Sequence, residues 1–159
     1  LHRFRHSFPT RRSSDLNMMN SLVVGGLKVG MKVSVACPEG YRPPKEIVDF
    51  AAAYGDMFEM TDSPAVAIKD ADVVLTDVWT SMGQEEERAE REKAFAGYCI
   101  SKELMENAKG DAIVLHCLPA HRGEEIMEDV FEANAGPIFD EAENRLHAQK
   151  AVMVHCMKD

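Results

Sequence analysis

Short apolar runs separated by helix-sized segments constrain this chain more than any other feature. Residues 31–36 (MKVSVA), 57–60 (MFEM), 72–77 (DVVLTD) and 112–116 (AIVLH) are too short for helices, and 72–77 is nearly continuous in apolar residues, as a strand covered on both faces must be. Between them lie segments of helical character. Residues 17–29 place apolar side chains at 18, 19, 22, 23 and 27, with Gly30 as C-cap. Residues 44–54 start with proline and end at Gly55, and Ser63-Pro64 opens a short helix to 69. A charged helix is predicted over 84–96, Ser101 caps another over 102–108, 124–134 holds one or two turns, and a long helix runs over 141–157. Strands alternating with helices form βαβ units, which build a parallel, doubly wound, Rossmann-like α/β sheet in a single domain.

Composition narrows the function. Net charge is −9 and the chain has one Trp and three Tyr, so it lacks the clustered Lys and Arg that phosphate backbones require, and nucleic acid is not an expected partner. Its apolar runs are a few residues long, where a membrane helix needs roughly 20, so no membrane partner is expected. The four cysteines (37, 99, 117 and 156) are widely spaced, and the close ligand pairs of a structural zinc site are missing. Reduced cysteines in a cytoplasmic protein, with no metal and no cofactor, are the expectation.

Residues 1–16 (LHRFRHSFPTRRSSDL) stand apart. They carry four Arg and one Asp, whereas the rest carries 14 Lys and Arg against 26 Asp and Glu. The segment has no helical or strand periodicity and no apolar core of a secretory signal. A mitochondrial transit peptide is the alternative, but the segment is short and not amphipathic. HSFPTRRSSDL resembles a translated sequencing adapter, so residues 1–16 are expected to be non-native, and 17–159 to form the domain.

In a doubly wound sheet, ligands bind beyond the carboxyl ends of the strands. Two polar segments follow strands there. Asp77-Val-Trp-Thr-Ser-Met-Gly-Gln84 offers a fixed carboxylate at a strand tip and a loop with a permissive glycine; a plain loop leading into a helix has the same appearance. His116-Cys-Leu-Pro-Ala-His-Arg-Gly123 places a cysteine at the next tip, either as an activated thiol or as a half-buried structural one. Neighbours on a strand face opposite ways, so His116 is badly placed to serve Cys117 as a base. The run 85–93 reads as a solvated helix face with i,i+4 pairs such as Glu87–Arg91.

Together these segments resemble the ornithine carbamoyltransferase family over residues 17–159. DVWTSMGQE is similar to its ornithine-binding loop, HCLPAHRGEE to its catalytic cysteine segment and DEAENRLHAQKAVM (140–153) to its C-terminal signature. Asn17-Met-Met-Asn-Ser-Leu22 looks like a remnant whose preceding strand is gone, so the resemblance implies that the first, middle strand of the sheet is missing through truncation. Aggregation or a broad melt is the expected consequence.

The resemblance implies roles residue by residue. Asn17, Asp77, Ser81 and Met82 would hold the amino-acid end of ornithine, with Asp77 on the α-ammonium. Cys117 would sit beside the δ-amine as the catalytic residue, and Cys117, Leu118 and Arg145 would bind carbamoyl phosphate. Its partners are then ornithine and carbamoyl phosphate, and a trimer or a multiple of one is implied for the parent enzyme. The family's Ser-Thr-Arg-Thr and His-Pro-x-Gln segments do not occur in the 159 residues, so the chain is expected to be inactive alone. Carbamoyl transfer to a related amine such as putrescine, or a non-catalytic Rossmann-like binding module, are the alternatives.

Overall fold

A computed structural model describes residues 3–7, 17–79 and 88–158, with residues 3–7 and Asn17 described in backbone only. Five parallel strands, β1 (Arg3–Ser7), β2 (Lys32–Ala36), β3 (Phe58–Thr61), β4 (Val73–Thr76) and β5 (Ile113–His116), form one sheet in the order β3-β2-β1-β4-β5. The helices are α1 (Asn17–Lys28), α2 (Lys45–Ala52), α3 (Pro64–Ile68), α4 (Arg88–Ala94), α5 (Lys102–Met105), α6 (Glu128–Ala133) and α7 (Ala135–Met157). None of the described helices is long and apolar enough to cross a membrane.

The expected missing strand is a correction. Arg3–Ser7 occupies the middle of the sheet, pairing Phe4 with Val33 on one side and with Val73 on the other. The physical reason lies in what a ladder is made of. Its bonds join backbone N–H and C=O groups that every residue except proline carries. Side-chain periodicity and charge, by which residues 1–16 stand apart, say little about whether those backbone bonds can form. With β2 and β4 both presenting open backbone edges, an extended segment between them completes two ladders at once.

Alternation along the strands explains why both faces are covered. Val33 and Val35 join Met19, Val23, Leu27 and Ala51 in one core cluster, whereas Val74 and Val114 join Ile68, Ile100, Ile126, Phe131 and Ile138 in another. Each of these side chains larger than alanine contributes roughly 1.5–3 kcal/mol by leaving water. Gly30 (φ 80°) ends α1 in a Schellman motif: its N–H donates to Leu27 and the N–H of Met31 to Gly26, at 3.1 and 2.9 Å. Ser101 caps α5 as expected, accepting the Leu104 N–H at 3.3 Å.

The last helix begins six residues earlier than its apolar pattern suggested. Pro137 falls in its first turn, where amide hydrogens have no intrahelical acceptor, so proline does not break it. Its outer half is unpacked: Leu146, Val152, Met153, Val154 and Met157 are all exposed.

Candidate functional site

Strand order reverses between β1 and β4, and the crevice at the carboxyl ends of the strands opens there. Asp77 directly follows β4 and Cys117 directly follows β5, in strands paired Thr76 to His116. The fold therefore places these two predicted residues at neighbouring strand tips. Asn17 is the first residue of α1. Ser81 and Met82 lie outside the described residues.

The β5 tip is built around His116, which is fully buried. Its Nδ1 accepts the N–H of Leu118 at 2.9 Å, so that nitrogen carries no proton and the ring hydrogen sits on Nε2. Nε2 in turn donates to Glu125 Oε1 at 3.0 Å. The same oxygen accepts the backbone N–H of His121 at 2.5 Å. A buried carboxylate and a buried imidazole thus clamp both sides of the turn that carries Cys117, in which Leu118 adopts φ 48° and the Leu118–Pro119 peptide is cis. A leucine with left-handed backbone is an unfavourable conformation that the clamp holds in place.

Cys117 is half-buried. Burial pushes its thiol well above the ordinary range, the carboxylates of Asp77 and Glu141 push it further, and Arg145 only partly offsets them. The shift disfavours the thiolate, the form in which a cysteine attacks as a nucleophile. The Asp77 carboxyl is also raised, first by burial, then by Glu125, against the opposing pull of the Val78 N–H (2.9 Å) and His116. Glu141 is raised by burial, offset by a hydrogen bond from the backbone N–H of His116.

Cys117, Glu141 and Arg145 line one cavity of about 460 Å³ with Met18 and His116. Arg145 is its cation, and one Glu141 oxygen is buried without a hydrogen-bond partner. Sequence reasoning did not single out Glu125 or Glu141 as site residues. For Glu141 a signal existed: it stands four residues before Arg145, hence on the same helix face. Nothing in the spacing of Glu125 announces a partner for His116.

The solvated-face reading of 85–93 fails at one described residue. Arg91, read as part of a solvated face, is buried, and its guanidinium donates to the Trp79 carbonyl at 3.1 Å. Arg122 is half-exposed, pairing with Glu132 at 2.6 Å and lying 4.7 Å from the Phe131 ring centroid. His121, Glu124 and Glu125 bring possible metal-ligand atoms within 4.8 Å of one another. Arg88 bonds Glu124 and His116 bonds Glu125, so protein donors already engage these carboxylates. All four cysteines are free.

Residues 13–156 match the family model described as aspartate/ornithine carbamoyltransferase, Asp/Orn binding domain. The chain belongs to that family. It is 51% identical over 145 residues to the ornithine carbamoyltransferase of Thermococcus kodakarensis, covering 89% of this chain and 46% of the relative. It is 53% identical over 142 residues to that of Caldicellulosiruptor saccharolyticus, covering 87% and 46%. Among solved structures, the ornithine carbamoyltransferase of Pyrococcus furiosus superposes with a TM-score of 0.82 at 44% identity, covering 96% of this chain and 49% of that one. The anabolic enzyme of Campylobacter jejuni gives 0.85 at 39%, covering 95% and 50%. The chain spans about half the length of the relatives it matches.

Proposed function

We propose that this chain is the ornithine-binding half of a cytoplasmic ornithine carbamoyltransferase, acting in arginine metabolism. The observation that carries the reading is that Asp77 and Cys117 follow neighbouring, paired strands while Cys117 and Arg145 line one cavity. Asp77 pairs the α-ammonium of ornithine, with Asn17, Ser81 and Met82 completing the grip on its amino-acid end. Arg145 draws carbamoyl phosphate to the cavity. Leu118 contributes its carbonyl, because its N–H is already engaged by His116.

The reaction is a direct displacement. The neutral δ-amine attacks the carbonyl carbon, the bond to the phosphate oxygen breaks, inorganic phosphate leaves, and the nitrogen loses a proton to give citrulline. Cys117 serves as a neutral group beside the δ-amine, consistent with a thiol whose ionisation is disfavoured. Rate comes from orienting two substrates and stabilising developing charge on the carbonyl oxygen. Neither a metal nor an organic cofactor enters this scheme.

The test is a citrulline assay with carbamoyl phosphate and ornithine or putrescine. The chain alone is expected to be inactive. Joined to the part of the Pyrococcus furiosus enzyme that it does not cover, it is expected to turn over ornithine and not putrescine, which offers Asp77 no α-ammonium. Equal use of both amines would count against ornithine.

A further inference from the structure

Arg91 is a charged side chain only 4% exposed, on a helix whose other described charges mostly face solvent. Burying a guanidinium is costly unless its donors are engaged. Here Nη1 donates to the carbonyl of Trp79 at 3.1 Å, and the guanidinium lies 5.5 Å from the centroid of the Tyr41 ring. Around it, Phe95 stacks on Trp79 (5.8 Å, 22°) and meets Tyr41 and Tyr98 edge-on at 4.9 and 5.6 Å. The Phe95 N–H donates to the Arg91 carbonyl at 2.8 Å, and Tyr98 Oη donates to the Asp62 carbonyl at 2.5 Å. Arg91 therefore ties three segments together: the end of β4, the loop after β2 and its own helix.

Trp79 stands two residues after Asp77 and two before Ser81. We infer that Arg91 is a positioning residue for the amino-acid substrate: by fixing the Trp79 peptide it sets where the Asp77 carboxylate points. The inference rests on the ornithine reading for its substrate, but not for its geometry. Arg91 is not among the described residues that line the cavity of Cys117 and Arg145, so its influence is expected to fall on the amino-acid substrate. The fork geometry of guanidinium suits this task, offering a planar donor to the carbonyl and a flat face to the tyrosine, whereas lysine offers only a point charge.

The chain has a single tryptophan, so Trp79 reports on its own surroundings. In the full chain, Arg91→Ala is expected to red-shift Trp79 emission and increase its quenching by acrylamide, with far-UV circular dichroism unchanged. In the chain joined to the remaining half of the Pyrococcus furiosus enzyme, the same change is expected to raise the ornithine KM roughly tenfold or more. The carbamoyl phosphate KM stays as it was and kcat changes less. Arg91→Lys, which keeps one donor, is expected to fall between. Unchanged Trp79 emission, equal rises in both KM values, or a loss in kcat alone would overturn the inference. If Arg91→Ala unfolds the chain, the emission and KM of Arg91→Lys decide in the same way. If the joined wild type makes no citrulline, the ornithine reading fails, and Trp79 emission still judges the positioning.

Discussion

The two strand tips solve the same problem by different means. At β5, the turn carrying Cys117 is held by residues within ten positions of one another: His116 reaches Leu118 and Glu125, and Glu125 reaches His121. At β4, among the described residues, Asp77 accepts a hydrogen bond from its own neighbour, Val78, and the segment is fixed from afar by Arg91 and an aromatic cluster drawn from residues 41, 79, 95 and 98. A local hydrogen-bond clamp is rigid and fails abruptly when one member is lost. A packed, distributed anchor yields by degrees. The reaction proposed here gives each tip a matching duty, since the β5 tip must hold reacting groups in fixed geometry, whereas the β4 tip grips the non-reacting end of a substrate.

The sharpest way to break this comparison is at Glu125. Glu125→Ala strands the buried Nε2–H of His116 and the N–H of His121, so a loss of about 2–5 kcal/mol is expected, at roughly 1–3 kcal/mol for each donor left without an acceptor. Glu125→Gln retains an acceptor oxygen for both donors and is expected to recover most of it. Urea unfolding of the two variants measures the difference; similar stability for both would show that the clamp carries little. No change of this size is expected from a single substitution at the β4 tip.

Next in magnitude is Asp77→Asn. It removes a charge-assisted hydrogen bond to the α-ammonium, worth roughly 1.5–3 kcal/mol, so ornithine affinity falls about ten- to a hundredfold while carbamoyl phosphate binding is unchanged. Titration calorimetry on the chain joined to the rest of the enzyme separates the two ligands. Equal losses would mean that both tips act on both substrates, and the comparison would collapse.

Cys117 provides a chemical check on the β5 tip. Its thiol is pushed up by burial and by Asp77 and Glu141, whereas Cys156 is exposed on the outer half of α7. At pH 8, iodoacetamide is expected to modify Cys156 readily and Cys117 slowly, with peptide mapping as the readout. Rapid labelling of Cys117 would mean a thiolate stands there and would reopen covalent catalysis.

How much of this was legible in the sequence follows from the same contrast. The placement of Asp77 and Cys117 was readable because each ends an apolar strand, and strand length and polarity are local signals. The helix ends at Gly30 and Ser101 were readable for the same reason. The role of Arg91 was not, since its neighbours in sequence are charged and its neighbours in space come from residues 41 and 79. Glu125 escaped because its partner is nine residues away across a turn whose path no period predicts. Arg3–Ser7 escaped for a different reason, because an interior strand is selected by the backbone edges beside it as well as by its own side chains.

The smallest expected effect concerns the ligand-free stability of the β4 tip, and its sign is opposite to that of the binding effect. Burial raises the Asp77 carboxyl above its ordinary value, so the folded chain binds that proton more tightly than the unfolded chain does. Between the two pKa values the folded state holds more protons, and stability declines as pH rises. The favourable contribution is full below the unfolded value near 4 and is lost as pH climbs through the raised folded value. At neutral pH a buried carboxylate without its ammonium partner is therefore a cost, which the bound substrate offsets. Asp77→Asn removes that cost, so the ligand-free variant should melt slightly above the wild type at pH 7, with the gap closing toward pH 4. Glu141, raised for the same reason, contributes in the same direction and is unaffected by the change. Thermal unfolding of the two proteins across that pH range gives the answer directly. A wild type more stable than Asp77→Asn at pH 7 would mean the carboxylate already has a structural partner in the empty site, and that its grip on ornithine is not what the position is kept for.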